Sequence, residues 1–137
     1  MANECTLVLK RSEPIDFIVE NNQAIEKGCI CMLSGPRTAF ANSGSGDIIA
    51  GIARREKISA DGRTRLSLFT GPGDIFRMTA AAGPAIAAGV YVTTSGPNLI
   101  RLATEAEIIL GKGIGKTMEA FAEGSGTTTG EVMVGCF

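Results

Sequence analysis

The chain has 137 residues, with 13 Lys and Arg against 14 Asp and Glu, for a formal net charge of −1. That length suits one ordinary domain, and so balanced a charge supplies no long-range field to draw in nucleic acid or an anionic membrane. His and Trp are both absent, which removes His-based triads, HExxH sites and mixed Cys/His zinc sites from consideration.

The hydrophobic period is mostly two, the mark of strands with one buried face. Cys5-Leu7-Leu9 and Ile15-Phe17-Val19 alternate with more polar neighbours on either side of Lys10-Arg11-Ser12-Glu13-Pro14, and Pro14 cannot donate to a strand ladder. Residues 1–22 are therefore read as an extended N-terminal arm. Leu7, Leu9, Ile15 and Phe17 are its expected contacts with a partner strand, in the manner of β-augmentation. The competing reading makes the same residues the first strands of a barrel.

Residues 23–137 read as one β-barrel domain. Strands are expected over 25–33, 38–41, 47–53 and 64–69, with turns at Ser34-Gly35-Pro36 and Asp61-Gly62. After Gly71-Pro72-Gly73, further strands are expected over 74–79, 90–93 and 98–103. Thr104-x-x-Glu107 is a capping-box pattern, and Gly111 stands where a helix would end, so one short helix is predicted between them. A strand over 113–118, a loop over 124–130 and a last strand with Val132, Val134 and Cys136 on one face complete the chain. No internal repeat is read. The fold class is all-β: a small antiparallel barrel with an extended arm and at most one or two short helices.

Two segments imitate membrane signals. The opening MANECTLVLKRSEP carries Glu4 where a secretory leader needs positive charge, and Lys10-Arg11 cuts its apolar stretch short. Residues 78–100 hold no charge, but Gly83-Pro84, Gly89 and Ser95-Gly96-Pro97-Asn98 punctuate them as strand, turn and strand. No membrane partner is expected. Cys5, Cys29, Cys31 and Cys136 offer one close pair, too few for a four-Cys zinc site, and read as buried free thiols.

Few motifs suggest chemistry. Gly111-Lys112-Gly113-Ile114-Gly115-Lys116-Thr117 resembles a phosphate loop, yet Leu110 stands where its first glycine belongs. No cofactor, metal or catalytic residue is expected. Arg54, Arg55, Lys57, Arg63 and Arg65 gather around one predicted hairpin and form a candidate polar contact patch. Base-stacking aromatics are sparse there, so no nucleic-acid partner is expected.

Taken in order, Gly28-Cys29-Ile30-Cys31-Met32-Leu33, then 47–53 with Glu56-Lys57, Asp61-Gly62 and Leu66-Ser67-Leu68-Phe69 resemble the decoration (cement) proteins of tailed-bacteriophage capsids. The likeness continues through Asp74-Ile75-Phe76-Arg77-Met78-Thr79, the Ala/Gly loop over 82–89, Val90-Tyr91-Val92, the Ile114-Gly115-Lys116 strand and Glu131-Val132-Met133-Val134. The resemblance implies a non-enzymatic virion protein, made in the host cytoplasm and placed on the capsid exterior. It implies the major capsid protein as partner, a homo-oligomer that is commonly a trimer, and stabilisation of the expanded shell. The rival reading is a small-ligand-binding barrel or a minor enzyme, which a β-barrel pattern alone does not separate from a structural role.

Overall fold

The computed structural model describes residues 2–135. Among them the strands are β1 Thr6–Leu9, β2 Ile15–Ile18, β3 Ile30–Gly35, β4 Thr38–Ala41, β5 Ile49–Ala53 and β6 Arg65–Phe69. There follow β7 Ile75–Ala80, β8 Tyr91–Thr94, β9 Leu99–Leu102, helix α1 Glu105–Ile109, β10 Gly115–Thr117 and β11 Thr128–Val134. The chain is all-β with one short helix, and α1 starts on the capping box read from Thr104 and Glu107. The uncharged stretch 78–100 is the end of β7, a loop, β8 and the start of β9.

Two rings are present. Strands β2 to β6 close into a barrel in the order β2-β4-β3-β5-β6. Strands β7 to β11 run β7-β11-β10-β8-β9, and a parallel β7–β9 pairing joins the ends, while β1 adds to β7 as a sixth strand. The rings have the same topology. Each has one parallel pair, Ile18↔Thr38 in the first and Thr79↔Leu99 in the second, a displacement of 61 residues on both strands. Beyond α1 the displacement is 64: Ile52↔Phe69 in the first ring answers Lys116↔Met133 in the second. The isolated bridge Ile25↔Lys57 likewise answers Ile86↔Phe121.

The expectation of no internal repeat is thus corrected. Its signal was present in Ala24-Ile25…Gly28…Ser34-Gly35-Pro36 and Ala85-Ile86…Gly89…Ser95-Gly96-Pro97. In both copies the residue after the Ser-Gly-Pro turn is left-handed, Arg37 at φ 49° and Asn98 at φ 57°. A glycine recurs too. A side chain at Gly51 would meet the Phe69 carbonyl, and one at Gly115 would meet the Met133 carbonyl, so neighbouring strands approach at matching points. Period-two alternation looks the same whether strands close into one ring or two, which is why it did not reveal the duplication.

Packing follows the repeat. Phe17, Val19, Ile25, Cys31, Ala39 and Leu68 belong to the first ring's core, and their counterparts Met78, Ala80, Ile86, Val92, Ile100 and Val132 to the second's. Ile30, Ile52 and Phe69 belong to the first ring but pack in the second ring's cluster, so they point outward and form the joint between rings. Phe69 meets Phe76 edge to face, with ring centres 5.5 Å apart. The loop 124–130 is shorter than expected, because β11 starts at Thr128 and Gly130 lies within it.

Candidate docking site

The N-terminal segment is not a free arm. β1 pairs with β7 at Thr6↔Arg77 and Leu7↔Phe76, and the Cys5 amide donates to the Gly28 carbonyl of the first ring at 2.8 Å. The stretch between β1 and β2 is pinned by buried Asp74. Its carboxylate accepts the Arg11 amide at 2.6 Å, the Ser12 amide at 2.8 Å and the Ser12 hydroxyl at 2.6 Å. Burial raises the Asp74 pKa, but these hydrogen bonds together outweigh it and hold the carboxyl below its ordinary range.

β1 nevertheless keeps a docking surface. All four of its residues are exposed, including Leu7, Val8 and Leu9, whose exposures run from 40% to 54%. It lies at the end of its sheet. Because Cys5 turns its amide toward the first ring, strand alternation turns the main-chain N–H and C=O of Leu7 to the same side. Among the described residues no backbone hydrogen bond outside the β1–β7 ladder involves 6–9. Beside this edge runs a groove of about 780 Å³, with Lys10, Lys27, Arg54 and Arg55 among its walls and Phe69 and Phe76 in its lining. Lys10 pairs with Glu13 at 3.2 Å.

The structure sorts the expected contact residues. Leu7, Leu9 and Ile15 are exposed, whereas Phe17 is 8% exposed and belongs to the first ring's core. β2 is a barrel strand, paired with β6 along its whole length, so of the four expected contact residues only Leu7, Leu9 and Ile15 lie at the surface. Pro14 did not exclude β2 from the sheet because it precedes the ladder, which begins at Ile15.

The basic cluster also divides. Arg54 and Arg55 face the groove, while Arg63 and Arg65 are exposed outside its lining. Lys57 is removed from the patch altogether: its side chain is fully buried, and Nζ donates to the Asn21 carbonyl at 2.8 Å, the Ile58 carbonyl at 3.1 Å and Asp61 Oδ1 at 3.0 Å. A lysine flanked by charges gave no sequence sign of burial. Its repeat partner Phe121 would have given it.

The rest of the site is scaffold. Gly111 to Thr117 form the helix exit and β10, with Lys116 Nζ 5.6 Å from the centre of the Tyr91 ring. Cys5, Cys29 and Cys31 are buried cysteines, and burial pushes the Cys5 thiol up and keeps it protonated. Cys136 lies outside the described residues. The rings are also clasped at their far side, where the bidentate Arg101–Glu107 pair, at 2.9 and 2.7 Å, donates on from Arg101 Nε to Ser45 of the first ring's loop at 3.1 Å. The hydrogen bonds from Arg101, ahead of those from Thr104, hold the Glu107 carboxyl down at about 2.

No protein-family model matches the chain, and no curated protein sequence matches it. The site therefore rests on its own geometry.

Proposed function

We propose that this chain is a structural virion protein that binds the outer surface of a phage capsid as a homotrimer and stabilises the expanded shell. The observation that carries the reading is β1: an exposed, uncharged Thr-Leu-Val-Leu strand at the end of a sheet, anchored at both ends by Gly28 and Asp74. A strand held in place but open along one edge is pre-organised to add a partner's main chain, which lowers the ordering cost of binding. Leu7 and Leu9 would fill apolar pockets on the capsid protein, and Ile15 extends the apolar surface onto β2. The cations Arg54 and Arg55 beside the edge favour an acidic capsid segment there.

Co-sedimentation of the full chain with expanded, undecorated capsid shells tests the reading. Saturable binding is expected, weakened about a hundredfold by Leu7→Asp with Leu9→Asp, the loss of two desolvated anchors. No binding by the intact chain overturns it. The groove supports a second reading, a site for a small organic anion held by Arg54 and Arg55 over Phe69 and Phe76. Calorimetry with aromatic carboxylates separates the two, because such binding would be lost in Arg54→Ala and untouched by Leu9→Asp.

A further inference from the structure

The joint between the two rings has a direction. The first ring contributes an outward row, Ile30, Ile52 and Phe69, which are direct neighbours across β3, β5 and β6. The second ring receives it with Phe76 and Val134, both 1–2% exposed. The row and the receiving surface are different parts of the repeat, so the contact is head-to-tail and each ring retains one half of it that the other ring does not engage.

These remaining halves can be located by the repeat. The second ring's row is Tyr91, Lys116 and Met133, again direct neighbours across β8, β10 and β11. The first ring's receiving position is Ile15, the counterpart of Phe76. Phe76 is 1% exposed, with Phe69 of the other ring packed against it, whereas Ile15 is 46% exposed and no described residue covers it in that way.

We propose that these halves meet between copies of this chain: the Tyr91, Lys116 and Met133 row of one protomer seats on the Ile15 end of the first ring of the next. The inference rests on the homotrimer proposed above and specifies its interface. A ring of threefold symmetry needs two different, complementary faces on each protomer, which an isologous dimer does not. This chain has that pair of faces and already uses the same contact once, internally. The composition differs in the expected direction. The permanent internal row is Ile, Ile and Phe, while the intermolecular row must stay soluble before assembly. Tyr and Met are the residues enriched in such interfaces, and Lys116 lies over Tyr91 with its ammonium free to reach the rim.

Sedimentation velocity on the full chain tests this. The unaltered chain is expected to run as a trimer, and Ile15→Asp and Met133→Asp each as monomers with unchanged circular dichroism. Mixing those two variants leaves one intact joint, so a heterodimer is expected. Ile15→Ser and Lys116→Glu are milder changes on the two faces and serve if either first variant unfolds; each is expected to raise the trimer's dissociation midpoint at least about tenfold. A trimer that survives substitution on both faces overturns the joint while leaving capsid binding to the shell experiment. A monomeric unaltered chain overturns the joint and the trimer together, and shells that still bind that monomer would preserve the capsid reading.

Discussion

The first and second rings share strand order and register but fill the same bridge in opposite ways. In the first, Lys57 sits opposite Ile25 and satisfies its buried ammonium on two carbonyls and Asp61, beside a core that includes Leu66. In the second, Phe121 sits opposite Ile86, and its ring lies against Gly130, the counterpart of Leu66. A side chain at Gly130 would stand 2.7 Å from the Phe121 ring. The exchange is one of shape: a long thin side chain accompanies a leucine in one ring, and a broad ring accompanies a glycine in the other. The lesson is that register belongs to the backbone repeat, while the chemistry of the plug is free to change provided its neighbour changes too.

The sharpest way to break this comparison is to empty the plug. Phe121→Ala should cost about 4 kcal/mol, the usual range for a fully buried aromatic, measured by urea denaturation. Lys57→Ala should cost about 3 kcal/mol, since it opens a cavity and strands the polar groups the ammonium had paired. Both losses can be turned into a test of equivalence. Lys57→Phe should be poorly tolerated against Leu66 and partly rescued by Leu66→Gly, with a coupling of about 1–3 kcal/mol in a double-mutant cycle. Strict additivity would mean that the two positions do not face each other as their counterparts do.

Smaller effects sharpen the difference at the edges of the rings. Asp74 fastens only the approach to the first ring onto the second, and its folded pKa lies below the ordinary 3.8. Its stabilisation is therefore complete above that value and is lost as pH falls through the lower folded pKa. Asp74→Asn should be less stable than the parent by about 1–2 kcal/mol at pH 7, and the gap should narrow in acid; a pH-independent gap would deny the carboxylate its role. Smallest is the helix that only the second ring has. Thr104→Ala removes the cap to the Glu107 amide and should cost about 1 kcal/mol by thermal denaturation, because α1 buries none of its residues.

The strands were legible because alternation and Gly-containing turns are local. The helix was legible for the same reason: a capping box is written in four residues. Ring closure was not, since pairing Ile18 with Thr38 or Thr79 with Leu99 is a long-range choice that alternation leaves open. Phe17 and Ile15 show the limit most plainly. Both are apolar residues of one strand, and only the neighbours brought by closure bury the first and leave the second bare. Asp74 was equally silent, because its partners Arg11 and Ser12 are more than 60 residues away along the chain. Leu7 and Leu9 were found by pattern, whereas their setting, a strand fixed to β7 with one open edge, came from the fold.

The exposed strand is where the proposed function succeeds or fails. Cryo-electron microscopy of expanded phage shells mixed with the intact chain would place it directly. Added density on the outer surface, in contact with capsid protein through residues 6–9 and organised as head-to-tail trimers about threefold positions, is the predicted result. Shells that acquire no density, or density that meets the capsid while leaving residues 6–9 bare to solvent, would contradict it.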